Sequence, residues 1–390
     1  MRDTSKPLRV VVLGAAGGVG AATAAHIARV GSARLTVADR DEARLGEVLA
    51  NLPGEARAAV VDVTKKAELA ALLQEADLVL NAVGPYTRFG PLVLQSALDA
   101  RTDYVDICDD PEPTLTLLDF DDAARSAGVR ALLGLGASPG ISNLLAVRAA
   151  SELDEVDTLH TLWNAVDDFE DFASVDGPIA HGAATEHWME QLHGTVPAVV
   201  DGELRPTAPL ERLSLDLPRY GNVEAHTVGH PEPLTLLRAF AGLRQSRNAM
   251  LGDSRLFELL HSFSQRMNDG LDVRDAAVRF YQEVADLRDL AYLTTADGEL
   301  VPSLLAYGEG TRDGRKATVI ASCRSLPEGG TAGVTAAPFS LAVPLHSNGW
   351  ADEPGVSTPE RTVDPVRFFS LLGPLCSAPP AGDLVAIERS

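Results

Sequence analysis

The stretch Val10–Gly20, VVVLGAAGGVG, constrains this chain more than any other. Val10–Leu13 is a continuous apolar run, the pattern of a strand covered on both faces within a parallel sheet. Gly14, Gly17, Gly18 and Gly20 follow, and then AATAAHIARV, a run of alanines and aliphatics that favours helix. A strand must therefore turn sharply and open directly into a helix. Gly14 is expected to permit the tight turn, and Ala16 and Gly17 to let a pyrophosphate approach the backbone. Gly20 lets helix and strand pack closely. The free N–H groups at the helix start attract phosphate, so Gly14, Gly17, Gly18 and Val19 are the expected pyrophosphate contacts. The spacing is GxxGxxG, with Ala16 in the place of the usual middle glycine.

Context sharpens this pattern. About twenty residues on, Arg34–Ala38 reads as a second strand that ends at Asp39, where an acid that binds ribose is expected. Asp39 is placed to accept both adenine-ribose hydroxyls, which favours NAD. Arg40 follows, and its planar fork could clasp a 2′-phosphate, which favours NADP. Both cofactors stay open at this point, and a solvated helix-start arginine is the bland alternative.

The chain has 390 residues, enough for two domains, with the 45% hydrophobic and 23% charged content of a globular protein. No apolar run approaches the roughly 20 residues of a membrane span, and the start MRDTSKPLRVVVLG has no signal-peptide layout. A cytoplasmic location is the expectation. The formal net charge of −22 is spread along the chain and opposes binding of nucleic acid, while favouring cationic ligands. Cys108, Cys323 and Cys376 are too far apart for a CxxC motif, and the spacing of His181, His187 and His193 does not place them on one helix face. No metal site is expected.

After the second strand come a helix from Asp41, a strand at Ala58–Val61 and Asp62–Val63, where such folds touch adenine. A helix over Lys65–Glu75 leads to a buried strand, Leu78–Val83, which runs into Gly84–Pro85–Tyr86–Thr87. Helices over Gly90–Ala100 and Asp119–Gly128 and strands at Asp103–Ile107 and Val129–Gly134 complete a regular alternation. That alternation means a doubly wound α/β domain of Rossmann type, with ligands at the C-terminal edge of its strands. The rhythm breaks at Gly136–Gly140. Beyond it, a helix at Ile141–Leu153, a strand at Asp157–Val166 and helices at Ala183–His193, Ser254–Met267 and Val273–Leu290 mix with antiparallel signals. Asp313–Gly314 between Leu304–Gly308 and Lys316–Cys323 marks a hairpin. This is the pattern of an inserted α+β substrate domain. A helix at Val334–His346 precedes a tail rich in Pro and Gly.

Four blocks resemble the saccharopine dehydrogenase family, in particular its saccharopine reductase and carboxynorspermidine dehydrogenase branch: VVLGAAGGVG, NAVGPYTRFGPLVLQSALDARTDYVDI, GLGASPGISNLLA and GVSTPERTVDP. They cover most of the first 150 residues plus Gly355–Pro365, and VGHPEPLTL at Val228–Leu236 is similar too. The resemblance implies a Rossmann domain, residues 1–138 completed from about residue 334 onward, with a substrate and dimerisation domain inserted at 139–333. It further implies a nicotinamide cofactor, formation or cleavage of a C–N bond through an imine, a small amine or carbonyl substrate, and a homodimer. Where amino-acid-handling branches carry Asp before Pro-Gly, this chain has Ser138. The carboxylate expected to orient a substrate amine is absent there, and the resemblance names no substrate.

Site candidates follow, each with its structural alternative. Ala82, Val83 and Gly84 are expected beneath the nicotinamide, where small residues leave room for the ring. Tyr86 could shuttle a proton to an imine nitrogen, or pack the rim. Cys108 and Asp109 follow the fifth strand, Cys108 as a lining residue or an inert buried thiol and Asp109 as a substrate contact. Ser138 and Asn143 are candidates to touch the cofactor; Ser138 suits an N-cap better than catalysis, and Asn143 could contact the nicotinamide amide or the substrate. Trp163 and Asn164 precede Asp167 and Asp168, which either hold a cationic substrate or form a solvated acidic loop. His230, before Pro231–Glu232, is a candidate acid or base, with His181 and His187 weaker candidates.

Overall fold

The computed structural model describes residues 7–166, 183–284, 286–287, 289–295, 297–351, 353–378 and 380–390. It divides into two compact units. One comprises the chain up to Leu144 together with Ser325–Asp383, and the other Leu145–Arg324 together with Leu384–Ser390.

In the first unit the apolar run forms β1 (Leu8–Leu13), and the glycine turn opens into α1 (Gly18–Val30), which ends on Gly31 in the left-handed region. β2 (Ala33–Asp39) is followed by α2 (Glu42–Asn51), whose first turn is capped by the Asp41 carboxylate accepting from the Arg44 amide. Then come β3 (Ala56–Val60), α3 (Lys66–Gln74), β4 (Leu78–Asn81), α4 (Tyr86–Ala100), β5 (Asp103–Asp106), α5 (Pro111–Leu118), α6 (Asp121–Ala127), β6 (Arg130–Leu132) and the start of α7 (Ile141–Ala150), which from Leu145 onward belongs to the second unit. A strand from the returning chain, Gly355–Ser357, pairs in parallel with β6. The seven strands run return strand–β6–β5–β4–β1–β2–β3, all parallel. The strand order reverses direction beside β1, so a crevice opens there at the C-terminal edge. The apolar faces of β1 and β4 are fully buried, as their continuous hydrophobic runs require.

α4 begins at Tyr86, four residues before the expected start at Gly90, because Pro85 serves as its N-cap and its carbonyl accepts from the Arg88 and Phe89 amides. The helix expected over Asp119–Gly128 is α6, preceded by a separate helix, α5, that starts with Pro111 in the first turn, where a missing N–H costs nothing. The helix expected at Val334–His346 is two helices, Gly330–Ser340 and Ala342–Ser347, joined at Leu341.

The second unit contains β7 (Glu155–Asn164), β8 (Val196–Val200), β9 (Glu203–Thr207), β10 (Arg212–Leu217), β11 (Gly221–Thr227), β12 (Gln245–Leu251), β13 (Leu304–Arg312) and β14 (Arg315–Cys323). With the strand Val385–Arg389 they form one mixed sheet, ordered β10–β11–β12–β7–β13–β14–385–389, with β8 and β9 off the path. Among the described strands of this sheet, only the β7–β12 pair is parallel. Asp313–Gly314 closes the β13–β14 hairpin as its sequence predicts, with both residues at positive φ. The returning segment does not end in the first unit: Leu384, Val385 and Ala386 are buried against the second sheet. Helices at Ala183–Gln191, Ser254–Asn268 and Val273–Val284 build an apolar core with Trp163 and Met250.

Candidate functional site

The glycine loop is closed by steric need. Gly14 sits at φ 77°, and a Cβ there would lie 2.7 Å from the Ala82 carbonyl oxygen. A Cβ at Gly20 would lie 2.2 Å from the Gly14 carbonyl oxygen, so the first turn of α1 can approach the loop only because it carries no side chain there. Gly17 is the N-cap of α1 and makes no side-chain cap, which leaves the first-turn amides directed outward at the positive end of a 13-residue helix.

Gly14, Gly17, Asp39, Arg40, Asp62, Val63, Ala82, Val83 and Gly84 line one cleft of about 240 Å³, together with Leu13, Ala38, Val61 and Phe89. Asp39 braces it. Its Oδ2 accepts from the Ala16 amide at 3.1 Å and its Oδ1 from the Asp41 amide at 3.0 Å, which ties the glycine loop to the end of β2. Each carboxylate oxygen keeps acceptor capacity beyond these bonds. Asp62 is held by the Thr64 hydroxyl (2.7 Å) and amide (2.9 Å), and these bonds, helped by Lys65 and Arg40, lower its pKa. The residues fit a dinucleotide: a loop that a Cβ would fill, an uncapped helix start, and polar groups at the far end of β2.

The proposed chemistry-bearing residues fall elsewhere. Tyr86 is buried, and its hydroxyl donates to the Asn81 carbonyl at 2.7 Å. Burial and the neighbouring Asp106 raise its pKa well above the usual tyrosine value, so the geometry gives it the packing role and commits its proton. Cys108 is buried with Sγ 3.5 Å from the Thr114 hydroxyl and 3.8 Å from the Asp110 carbonyl. Burial and Asp106 push its thiol well up, which makes it inert rather than reactive. Ser138 enters a cis Ser–Pro peptide in the turn after β6. Asn143 accepts from the Gly140 amide (2.9 Å) and donates to Glu360 (3.0 Å), so it ties that turn to the returning chain. Asp109 follows β5, and its charge acts on Asp106.

Trp163, Asn164 and His230 belong to the second unit. Trp163 Nε1 donates to Asn248 at 3.0 Å, and its ring centroid is 5.9 Å from that of His230. His230 Nδ1 lies 3.5 Å from the carboxylate of the fully buried Glu232, which accepts from Asn248 at 2.9 Å. Asn164 accepts from the Val166 amide at the strand end. His187 contacts Gln191 at 2.9 Å, one turn along its helix. Asp167, Asp168 and His181 lie outside the described residues.

Sequence reasoning missed four lining residues and a buried network. Leu13 ends β1, Ala38 is the last residue but one of β2, and Val61 follows β3; reading the last residue of each expected strand as lining would have found them. Phe89 had no such signal, because its placement depends on α4 starting at Tyr86. The network joins Asn81, Tyr104 and Asp106 behind the cleft.

These features define a Rossmann-type dinucleotide-binding domain. Residues 10–132 match the family described as "Saccharopine dehydrogenase NADP binding domain". A "Saccharopine dehydrogenase-like oxidoreductase" of Rattus norvegicus is 32% identical over 128 residues, 29% of this chain and 30% of that protein. A "Trans-acting enoyl reductase" of Mycobacterium tuberculosis (strain ATCC 25618 / H37Rv) is 32% identical over 141 residues, 35% of this chain and 34% of that protein. The matched region thus spans about a third of the length of these curated relatives. The fold resembles, over its full extent, "Apo histidine-tagged saccharopine dehydrogenase (L-Glu forming) from Saccharomyces cerevisiae", with a TM-score of 0.64, 16% identity, and coverage of 98% of this chain and 100% of that one. Among the described residues, no helix is long and apolar enough to cross a membrane.

Proposed function

We propose that the chain is an NAD(P)-dependent oxidoreductase that moves a hydride to or from the carbon of a C=N bond in an amino-acid- or polyamine-like substrate. The observation that carries this reading is the convergence of the glycine loop, the Asp39–Arg40 pair and Ala82–Gly84 on one cleft at the C-terminal edge of the parallel sheet. When bound, the cofactor supplies the hydride chemistry. The chain's own part is positional. The first-turn amides of α1 would hold the pyrophosphate, Asp39 would fix the loop and face the ribose, and Ala82, Val83 and Phe89 would keep water from their part of the cleft. By family resemblance the chain would act as a homodimer.

Arg40 favours NADP(H) within this reading. It lines the cleft beside Asp39, where its planar fork can reach a 2′-phosphate on the ribose that Asp39 would face. A guanidinium–phosphate bond contributes about 1.5–3 kcal/mol, so Arg40→Ala is expected to weaken NADPH about 10- to 100-fold and to spare NADH. Equal losses for both cofactors would remove Arg40 from the role.

A second reading, hydride transfer to a carbon–carbon double bond, is favoured by the identity to proteins named trans-acting enoyl reductase. Oxidation of NADPH and NADH by the purified protein separates the two, using 2-oxo acids and aldehydes with and without amines, and α,β-unsaturated acyl compounds alone. Turnover that needs both carbonyl and amine supports C–N chemistry. Turnover with an unsaturated acyl compound alone supports the second reading, and turnover with a saturated carbonyl alone moves the protein to the alcohol-forming class.

A further inference from the structure

Behind the cleft, the sheet holds a carboxylate that apolar packing does not call for. Asp106 closes β5 and is fully buried. Its Oδ1 accepts from the amides of Cys108 (3.1 Å) and Gly134 (2.8 Å), and its Oδ2 accepts from the Tyr104 hydroxyl (2.9 Å). That hydroxyl in turn accepts from Asn81 Nδ2 at 3.0 Å. Asn81 is the register partner of Asp106 across β4 and β5, and its Oδ1 accepts from the Val83 amide at 3.1 Å. Val83 lines the cleft. One continuous chain of hydrogen bonds therefore runs from a buried carboxylate to the cleft wall.

We infer that Asp106 is a positioning residue of the dinucleotide site, whose proton controls, through Tyr104 and Asn81, how firmly Val83 is held against a bound dinucleotide. The inference rests on the dinucleotide reading given above. Donor counting supplies the mechanism. With Asp106 ionised, Asn81 donates to Tyr104 and Tyr104 donates to Asp106, so the hydroxyl hydrogen at the centre of the chain has its acceptor. Oδ1 already takes two amides, so the proton goes to Oδ2, which accepts from Tyr104. There it either displaces the Tyr104 hydrogen or takes the second lone pair, for which this chain of bonds supplies no acceptor, and a buried donor left without an acceptor is costly. The chain rearranges to relieve it, and Asn81 moves with it.

The titratable groups facing Asp106 are Tyr104 on β5, Tyr86 on α4, and Cys108 and Asp109 on the loop after β5. Burial, with Asp109's charge, raises the Asp106 pKa to about 6, against the pull of the Gly134, Cys108 and Tyr104 hydrogen bonds. The rearrangement thus falls within the range of a simple binding titration.

The test is NADPH affinity of the full chain, read from NADPH fluorescence between pH 5.5 and 8. The wild type is expected to weaken about 3- to 10-fold as pH falls through the Asp106 transition, equivalent to roughly 0.7–1.4 kcal/mol. Asp106→Asn keeps an acceptor for the Gly134 and Cys108 amides but places an N–H group toward Tyr104. It should therefore bind as weakly at pH 8 as the wild type does in acid, with that transition missing. The 2′-phosphate titrates near pH 6 in both proteins, so only their difference reports Asp106. Tyr104→Phe, which keeps the carboxylate and cuts the chain, should lose the same transition and stands in if Asp106→Asn does not fold. A wild-type profile in either folded variant overturns the inference. A folded wild type that binds neither NADPH nor NADH at any pH overturns the dinucleotide reading itself, and this inference with it.

Discussion

At Gly20 a single methyl group decides whether the glycine loop can form. Its Cβ would stand 2.2 Å from the Gly14 carbonyl oxygen, a backbone atom that cannot swing aside. At Gly18, one helical position after the N-cap, the nearest heavy atom to an added Cβ is that of Ala332, at 3.5 Å, an ordinary contact. Gly20→Ala is therefore expected to cost about 2 kcal/mol of stability and to reduce NADPH affinity at least tenfold. Gly18→Ala should fall within about 0.5 kcal/mol of the wild type, because alanine also suits a first helical turn. Thermal unfolding and a fluorescence titration on the pair check this, and equal behaviour of the two variants would contradict it. Gly20 and Asp39 were legible because a strand–turn–helix–strand unit fixes where small and acidic residues must stand. Asp106 was not. Gly134, which donates to it, lies in the turn after β6, and only the parallel register of β4 and β5 brings Asn81 alongside it. Tyr86 was legible as a residue at the right edge but not as an inward-pointing one, since the Asn81 carbonyl that takes its proton is a backbone group without sequence signature.

Between elements, the contact of β11 with the helix Ser254–Asn268 illustrates how packing sets titration. His226 stacks on Phe257 with ring centroids 3.8 Å apart. Burial lowers the His226 pKa to about 4 from its ordinary 6.5, although Glu224, 3.5 Å from Nε2, pulls upward. The unfolded chain takes up this proton below its ordinary value while the folded chain resists until about pH 4. The stabilising contribution is thus complete at neutral pH and is lost as pH falls across that window, by up to about 3 kcal/mol. His226→Phe keeps an aromatic ring over Phe257 and removes the titration. Its stability, measured by denaturant unfolding at pH 7 and pH 4.5, is expected to decline less than that of the wild type. An identical decline would show that acid sensitivity lies elsewhere. Element boundaries were read less well than element types. The sequence places the helix start at Gly90, whereas Pro85 caps the helix a turn earlier, and α5, with Pro111 in its first turn, lies where the sequence reading places no helix.

On the scale of the whole chain, connectivity separates two properties that composition leaves merged. The chain leaves the first unit after Leu144, returns at Ser325 and leaves again at Leu384. Every residue that lines the cleft lies between Leu13 and Phe89, in the first unit. The strand Val385–Arg389 pairs with β14 from Val319 to Cys323, its Glu388 meets Arg219, and its Arg389 meets Glu152. All of these partners belong to the second unit. Removing residues 384–390 should therefore strip one edge of the second sheet, at a cost on the order of 3 kcal/mol for the lost strand hydrogen bonds, and leave the cleft's residues untouched. The expected outcome is a new, earlier unfolding transition and faster amide exchange in β13 and β14, with NADPH affinity within about twofold of the wild type. Exchange that stays unchanged in β14 would mean the strand contributes little to that sheet. Loss of NADPH binding, with the parallel sheet still protected from exchange, would mean that the dinucleotide site depends on the second unit.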